Sequence, residues 1–304
     1  MKTAVIGAVF VDVKGFAFQQ YAPTGTNIGT VRIVHGGVCR NVCETFGRQG
    51  ESAAFVSMTD NTALGRDVRE RLAGLGVDLR HTLFAPDGMG MWLAILDERG
   101  ELAGSVSKQP DFTPLEDYIR QQGGALLDGA DSVVLEIDMN ERIAEAVLDL
   151  ARAQGKPVYA IVGNMGVILR HPEYLKHVRC FICNEIEAGR LFQADLTQLQ
   201  PFAMLDVLLP AARAAGIRAM VITMGAQGAV YYDGETGEAG HCPAIPTKMV
   251  DSTGAGDAFF AGTVMALGKG MSLRRAVRVG TRLASATLKC EDSCCDRVDG
   301  LFDV

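Results

Sequence analysis

The stretch VDSTGAGDAFFAG, residues 250–262, sets three glycines and two carboxylates around Thr253 and ahead of an apolar run. Gly254, Ala255 and Gly256 directly precede DAFFAGTVMALG (257–268), which is long and apolar enough for a buried helix, so their amides are expected at its N-terminus. Amides left unpaired at a helix start, aided by the macrodipole, form an anion site that needs no charged side chain. Asp257 in the same turn would repel a phosphate at rest, but it suits a hydroxyl that must shed its proton as a phosphoryl group arrives. A local reading competes with this one: Asp251 or Asp257 as a helix cap and the glycines as a turn. The common phosphate loops are absent. There is no G-x-x-x-x-G-K-[ST], and Phe259 stands where a dinucleotide fingerprint carries glycine or alanine, which excludes a Rossmann dehydrogenase.

Upstream, short apolar runs alternate with amphipathic stretches: SVVLEI (132–137), ERIAEAVLDLARAQG (141–155), PVYAIV (157–162) and PAARAAGIRAMVIT (210–223). Continuous apolar strands joined by helices predict an α/β fold, a three-layer doubly wound and mostly parallel sheet, with ligands at the carboxyl ends of the strands. The first hundred residues differ. TNIGTVRIVHGG (26–37) and GMGMWLAILDERGELAGSVS (88–107) show shorter strands, with Glu98-Arg99-Gly100-Glu101 as a hairpin turn. They predict a small β-sheet lid made from segments near 13–35 and 83–108. No Pro/Ser linker separates these excursions from the rest, so residues 1–304 read as a single domain.

Composition narrows the partners. The chain is 48% hydrophobic and 21% charged with a net charge of −7 and no basic run, so neither nucleic acid nor a membrane is an expected partner. No apolar run reaches the ~18 residues of a membrane helix. MKTAVIGAVFV (1–11) is read as a first buried strand rather than a leader, since Asp12 interrupts it. Eight cysteines without a repeated spacing predict a reduced, cytoplasmic protein. The Cys180-Phe-Ile-Cys183 spacing, with apolar residues between, is read as buried strand rather than as half of a zinc site.

DSTGAGD (251–257) resembles the C-terminal signature of the ribokinase-like (PfkB-type) carbohydrate and nucleoside kinases. Four further stretches resemble the family's elements in its order: GAVFVD (7–12) as Gly-x-x-x-x-Asp, HGGVCRN (35–41) as Gly-Gly-x-x-x-Asn, NEIE (184–187) as Asn-x-x-Glu, and TMGAQG (223–228) as Thr-x-Gly-x-x-Gly. The resemblance implies a ribokinase-like sheet under a β lid and ATP-dependent phosphorylation of a sugar or nucleoside hydroxyl. By that resemblance Asp257 is the general base and Gly254, Ala255 and Gly256 are the anion hole. Asp12, Gly36, Gly37 and Asn41 hold the acceptor, and Asn184, Thr223, Gly225 and Gly228 hold ATP. Glu187 holds Mg2+ through water, and the loop around Asp251, with a later one near LKCEDSC (288–294), holds a monovalent cation such as K+. A homodimer through the lid is also implied.

Taken residue by residue, each element has a plainer alternative. Asp12 can accept hydrogen bonds from two sugar hydroxyls or cap a turn. Gly36 and Gly37 suit a hinge and a close substrate approach. Asn184 and Glu187, three apart, share a helix face that could equally be solvated. Thr223, Gly225 and Gly228 form either a nucleotide loop or a hairpin turn. Two departures from the commoner pattern are Gly163-Asn164, where many members carry Asp-Pro, and Val38, where typical ribokinases carry lysine. FVDVKG (10–15) with GGVCRN (36–41) looks most like the pseudouridine-kinase branch, whose acceptor is the 5′-hydroxyl. Adenosine-, ribose- and fructose-type acceptors, and a nucleotide-binding regulator of the same fold without turnover, stand as alternatives.

Overall fold

The computed structural model describes residues 1–304. Nine strands form the central sheet, in the spatial order Ala239–Cys242, Ala229–Asp233, Ala219–Thr223, Cys180–Asn184, Val158–Ile161, Ser132–Glu136, Lys2–Ile6, Ser52–Thr59 and Thr82–Phe84. All neighbours are parallel except the pairings of Ala229–Asp233 with the strands on either side of it. The strands are apolar at nearly every position because both faces are covered. Val5, Phe55, Val134 and Val221 point to one core with the helices Val38–Arg48, Ala255–Gly268 and Leu273–Thr287. Their neighbours Ile6, Val56, Leu135 and Ile222 point to the other, with Thr113–Gln122, Glu141–Ala153 and Pro201–Ala215. Chain order reverses between Lys2–Ile6 and Ser132–Glu136, which opens a crevice at their carboxyl ends.

A second, four-stranded sheet runs Gly29–Gly36, Phe10–Ala17, Gly90–Leu96, Leu102–Lys108. The hairpin at 97–101 closes on itself, with the Asp97 amide donating to the Glu101 carbonyl and Gly100 at φ 79°. Two boundaries differ from the sequence reading. Residues 82–84 belong to the large sheet, where Thr82 is buried and its hydroxyl donates 2.8 Å to the Phe55 carbonyl. Asp12 does not follow the first strand. The chain leaves the large sheet at Gly7 and enters the small one at Phe10, so Asp12 is an interior residue opposite Val34 and Trp92.

All eight cysteines are free, and Cys180 and Cys183 lie in a buried strand. No helix is long and apolar enough to cross a membrane.

The helix Ala255–Gly268 packs on Leu273–Thr287 at almost backbone distance: a Cβ on Gly262 would lie 3.0 Å from the Gly280 Cα, and one on Gly280 would lie 2.6 Å from the Phe259 carbonyl oxygen. A backbone oxygen cannot rotate away, so a larger residue must push the helices apart. Gly280→Val is expected to cost ~1–3 kcal/mol, read from urea midpoints, whereas Gly104→Ala, where a Cβ meets nothing, should change stability by less than about 0.5 kcal/mol. Equal midpoints for the two variants would refute close packing of these helices.

Candidate active site

Gly254 caps the helix Ala255–Gly268 in the left-handed conformation, φ 79°, and a Cβ there would run into the Ser293 carbonyl. The space in front of Gly256 is open. The amides of Gly256 and Asp257 make no hydrogen bond within the chain, while that of Ala255 turns back 3.3 Å to the Ser252 carbonyl. The helix start is thus an open cradle with free donors, although Ala255 contributes its small size rather than its amide.

Asp257 follows in the first turn. Its Oδ2 accepts a hydrogen bond of 2.6 Å from Asn41 Nδ2 across a separation of 216 residues. Asn41 is itself held, since Arg40 donates to its Oδ1 and also to the His35 carbonyl and to Glu44. Glu44 is fully buried and further bonded by Arg48 and Arg71 at 2.8 Å. Burial raises the proton affinity of Glu44, but the three guanidiniums outweigh it and hold its carboxyl below the ordinary value. Asp257 has the opposite balance. Burial pushes it up to about 7, reinforced by the charges of Asp12 and Glu187 and opposed by Asn41 and Arg40.

On the acceptor side, Asp12 presses against Gly36, where a Cβ would collide with its carboxylate. Gly37 has φ 95°, and its Cβ would fall 2.6 Å from the Ala8 carbonyl, so the strand can turn into the helix Val38–Arg48 only through a residue without a side chain. Burial raises the Asp12 carboxyl, opposed by Lys14 and Arg40. Asp12, Gly36, Gly37 and Asn41 therefore meet beside Asp257, the grouping that the family resemblance implies.

Three residues that the sequence reading passed over join them. Lys14, two positions beyond Asp12 on the same face of the strand and buried, donates 2.7 Å to Thr253 Oγ1, directly before the cradle. Glu136 ends a fully buried strand. Its Oε2 accepts from the Ala8 amide at 2.9 Å, and Gly7 and Gly163 leave room for its two oxygens. Burial pushes it up to about 7, with Asp257 and Asp138 adding to the shift. Asp138, in the following turn, is pushed up to about 6, chiefly by burial. The signal was present in SVVLEI, a charged residue closing an apolar strand at the carboxyl edge. Glu136 also gives Gly163 a packing reason, a Cβ there lying 2.9 Å from its Oε1.

Of the remaining residues, Glu187 is the one whose charge acts on Asp257. Asn184 and Glu187 do not form a free helix face. They form a capping box on Glu185–Phe192, Asn184 Oδ1 accepting from the Glu187 amide and Glu187 Oε2 from the Asn184 amide. Glu187 Oε1 makes no hydrogen bond within the chain. Thr223 donates to the Cys183 carbonyl, and residues 224–228 close a hairpin in which the Met224 amide donates to Gly228. Gly225 opens onto free space, but Gly228 is packed against the Cys242 carbonyl. In the Asp251 loop, Oδ1 accepts from the Thr253 amide. Val250 donates to Leu288 and Gly254 abuts Ser293, so this loop and the 288–294 segment are in contact.

Residues 1–296 match the pfkB family carbohydrate kinase profile. The chain belongs to the pfkB family. It is 35% identical over 288 residues to a guanosine-inosine kinase of Exiguobacterium acetylicum, covering 94% of each chain. It is 25% identical to the pseudouridine kinase of Escherichia coli, covering 94% of this chain and 90% of that one. Its fold matches Arabidopsis thaliana ribokinase complexed with ribose and ATP, with a TM-score of 0.81 at 20% identity, covering 99% and 98% of the two chains.

A pH dependence follows for this kinase. Because native Asp257 holds a proton up to about 7 and an unfolded aspartate releases it near ~3.9, the folded state binds more protons between these values. Its stability therefore falls as pH rises through that window. Asp257→Asn removes this residue's share of the slope, leaving those of Glu136 and Asp138. The variant's thermal midpoint should exceed the parent's at pH 8, with the gap shrinking at pH 5; a gap that is constant or grows toward acid would contradict the burial of this carboxylate.

Proposed function

We propose that this kinase transfers the terminal phosphoryl group of ATP to the 5′-hydroxyl of a nucleoside. The observation that carries the reading is Asp257, a carboxylate bonded to Asn41 at an open helix start and brought to near neutrality by burial. A base whose affinity for protons lies near the working pH both accepts and releases one readily. In this reading the acceptor hydroxyl gives its proton to Asp257 as its oxygen bonds to phosphorus and the bond to the leaving diphosphate breaks. Asp12 and Glu136 accept hydrogen bonds from ribose hydroxyls, with Gly36, Gly37 and Asn41 closing around the sugar. The amides of Gly254, Gly256 and Asp257, with the Lys14 ammonium behind Thr253, face the charge that develops on the phosphoryl oxygens.

ATP bound with magnesium supplies the phosphoryl group and the counter-charge. The open space at Gly225 and Gly256 and the free Glu187 Oε1 fit such a group. Asn184 and Thr223 would then act through the backbone that they fix, and Glu187 through a metal's water shell. The contact between the Asp251 loop and residues 288–294 suits a monovalent cation. Ile33, Val13, Leu93 and Val106 lie in register on the face of the small sheet opposite Asp12 and Lys14, and three of them are exposed, which supports a homodimer through this lid.

Guanosine and inosine come first as acceptors, ahead of pseudouridine, because similarity to the guanosine-inosine kinase is greater and as extensive. Pseudouridine stands second on the likeness in FVDVKG and GGVCRN. In a panel with Mg-ATP, guanosine or inosine should give the highest kcat/KM; a higher value for a free hexose would overturn the nucleoside reading, and no turnover of any acceptor would indicate a regulator.

Kinetics of two variants test the assigned chemistry. Asp257→Asn should lower kcat by ~10²–10⁴ with acceptor affinity within a few-fold. Lys14→Met should lower kcat by roughly 10² through lost charge stabilisation. Near-parental kcat in either would remove that residue from the mechanism.

A further inference from the structure

A cavity of about 670 Å³, of a size that takes a small organic ligand, opens around the turn that follows Ser132–Glu136. Asp138 lines it and is only 5% exposed. One carboxylate oxygen, Oδ1, accepts from the amides of Val167 at 2.9 Å and Ile168 at 3.2 Å, which fixes the side chain. The other, Oδ2, is buried with no donor at all. Buried acceptors almost always have a partner, so a fixed carboxylate with one oxygen unmatched marks a place where a donor arrives from outside the chain.

The cavity also provides the opposite kind of group. Arg170 lines it, its Nε engaged 2.7 Å from Glu141 and its terminal nitrogens free, and its positive charge acts on Asp138. The chain ties the cavity to the chemistry, since Asp138 lies two residues beyond Glu136. Glu136 feels the charges of both Asp257 and Asp138, and Glu187 acts on both of them as well. In the nucleoside reading, the acceptor's second ring would extend along this connection from Glu136 toward Asp138.

We propose that Asp138 Oδ2 accepts the N–H of a nucleobase lactam, with Arg170 donating to the adjoining carbonyl, so that this pair selects hypoxanthine- or guanine-type bases over adenine. The assignment rests on the nucleoside-kinase reading above. A lactam presents N–H beside C=O, complementary to the carboxylate and guanidinium. Adenine presents a lone pair at N1 beside an amino group, the reverse order, which sets lone pair against Oδ2 and donor against donor. Sites built to pair a polar edge reject analogues that leave it unmatched far more strongly than apolar pockets reject an extra methylene.

The test compares inosine, adenosine and purine riboside, the last two both carrying a lone pair at N1. Their affinities are measured by calorimetry without ATP and their kcat and KM with it. The parent enzyme should bind inosine roughly ten- to a hundredfold more tightly than either analogue. Asp138→Asn keeps an oxygen for the Val167 and Ile168 amides and can turn its NH₂ toward the base. It should lose most of that preference, through KM rather than kcat. The proposal is overturned if the parent binds all three alike, or if the variant weakens all three equally, as a purely structural role would. The comparison of ligands on the parent enzyme stands even if the variant does not fold. Should the parent phosphorylate no nucleoside, the functional reading itself fails. If it phosphorylates nucleosides but Asp138→Asn leaves the ratio of inosine to adenosine unchanged, only the present inference does.

Discussion

Asp257 and Asn41 lie 216 residues apart, and a single hydrogen bond of 2.6 Å joins them. The bond must hold because neither side chain has an alternative partner of equal strength. Asp257 sits where burial disfavours its charge, and Asn41 has its carbonyl end occupied by Arg40. Behind Arg40 stands Glu44, fully buried and surrounded by three guanidiniums. A buried carboxylate that lost those partners would be strongly destabilising, so the network cannot relax piecemeal. Its rigidity is transmitted along one helix face, from Glu44 through Arg40 to Asn41, and across to the start of the helix Ala255–Gly268. The second signature and the first are thus one mechanical unit, which is why residues so distant in sequence carry complementary parts of one site.

Around this unit, glycines admit polar atoms where a methyl group would exclude them. Gly36 admits the Asp12 carboxylate, Gly7 and Gly163 admit the oxygens of Glu136, and Gly254 admits the Ser293 carbonyl. Each lies at the carboxyl edge of the sheet or where the small sheet joins it. At the reversal of strand order there is room between adjacent connections, and the close backbone approach turns that room into a site lined by carboxylates and amides. The same lack of side chains at Gly256 and Gly225 leaves open space rather than contact. Packing glycines and open glycines thus lie side by side in the same motifs, and their roles differ although their letters do not.

That distinction sets what could be read without coordinates. The parallel sheet was legible because buried strands are apolar at every position and helices are not, and the helix start at Asp257 was legible from glycines before an apolar run, while the role proposed for that acid came through the family pattern. Asp12, Gly36, Gly37 and Asn41 were legible through a family pattern more than through their own chemistry. Lys14 was not, since a lysine in a short strand looks solvated until the fold sets it against Thr253. Glu136 and Asp138 were missed because a carboxylate just after an apolar run reads as the start of a loop, and only the fold shows that this loop begins inside the molecule. Asn184 and Glu187 carry the reverse lesson. Their spacing alone read as a solvated helix face and only the family pattern made it a ligand face, whereas the structure shows a capping box, a local interaction that needs no ligand to explain it. The small sheet was placed but misbounded at residues 83 and 84, because a three-residue strand has no periodicity to read and its pairing was decided by the free edge of Ser52–Thr59.

The site's electrostatics then pose a problem that its burial helps to solve. Asp12, Glu136, Asp138, Glu187 and Asp257 converge in a chain whose net charge is already −7, and the proposed reaction brings a polyphosphate among them. Fully ionised, five carboxylates would oppose that arrival strongly at the low dielectric of the crevice. Burial raises the proton affinity of all five, in three of them to between about 6 and 7. The cluster can therefore take up protons as negative charge enters and release them as it leaves. Asp257 alone combines that affinity with unpaired amides at its own helix start and a fixed partner in Asn41. In the proposed reaction its value near neutrality has two consequences. A higher one would leave it protonated and inert as a base, and a much lower one would keep a permanent charge facing the incoming phosphoryl group. Burial raises this carboxylate and the network that holds Asn41 opposes the rise, so in the proposed reaction the interaction that fixes the geometry would also temper the proton affinity of the base.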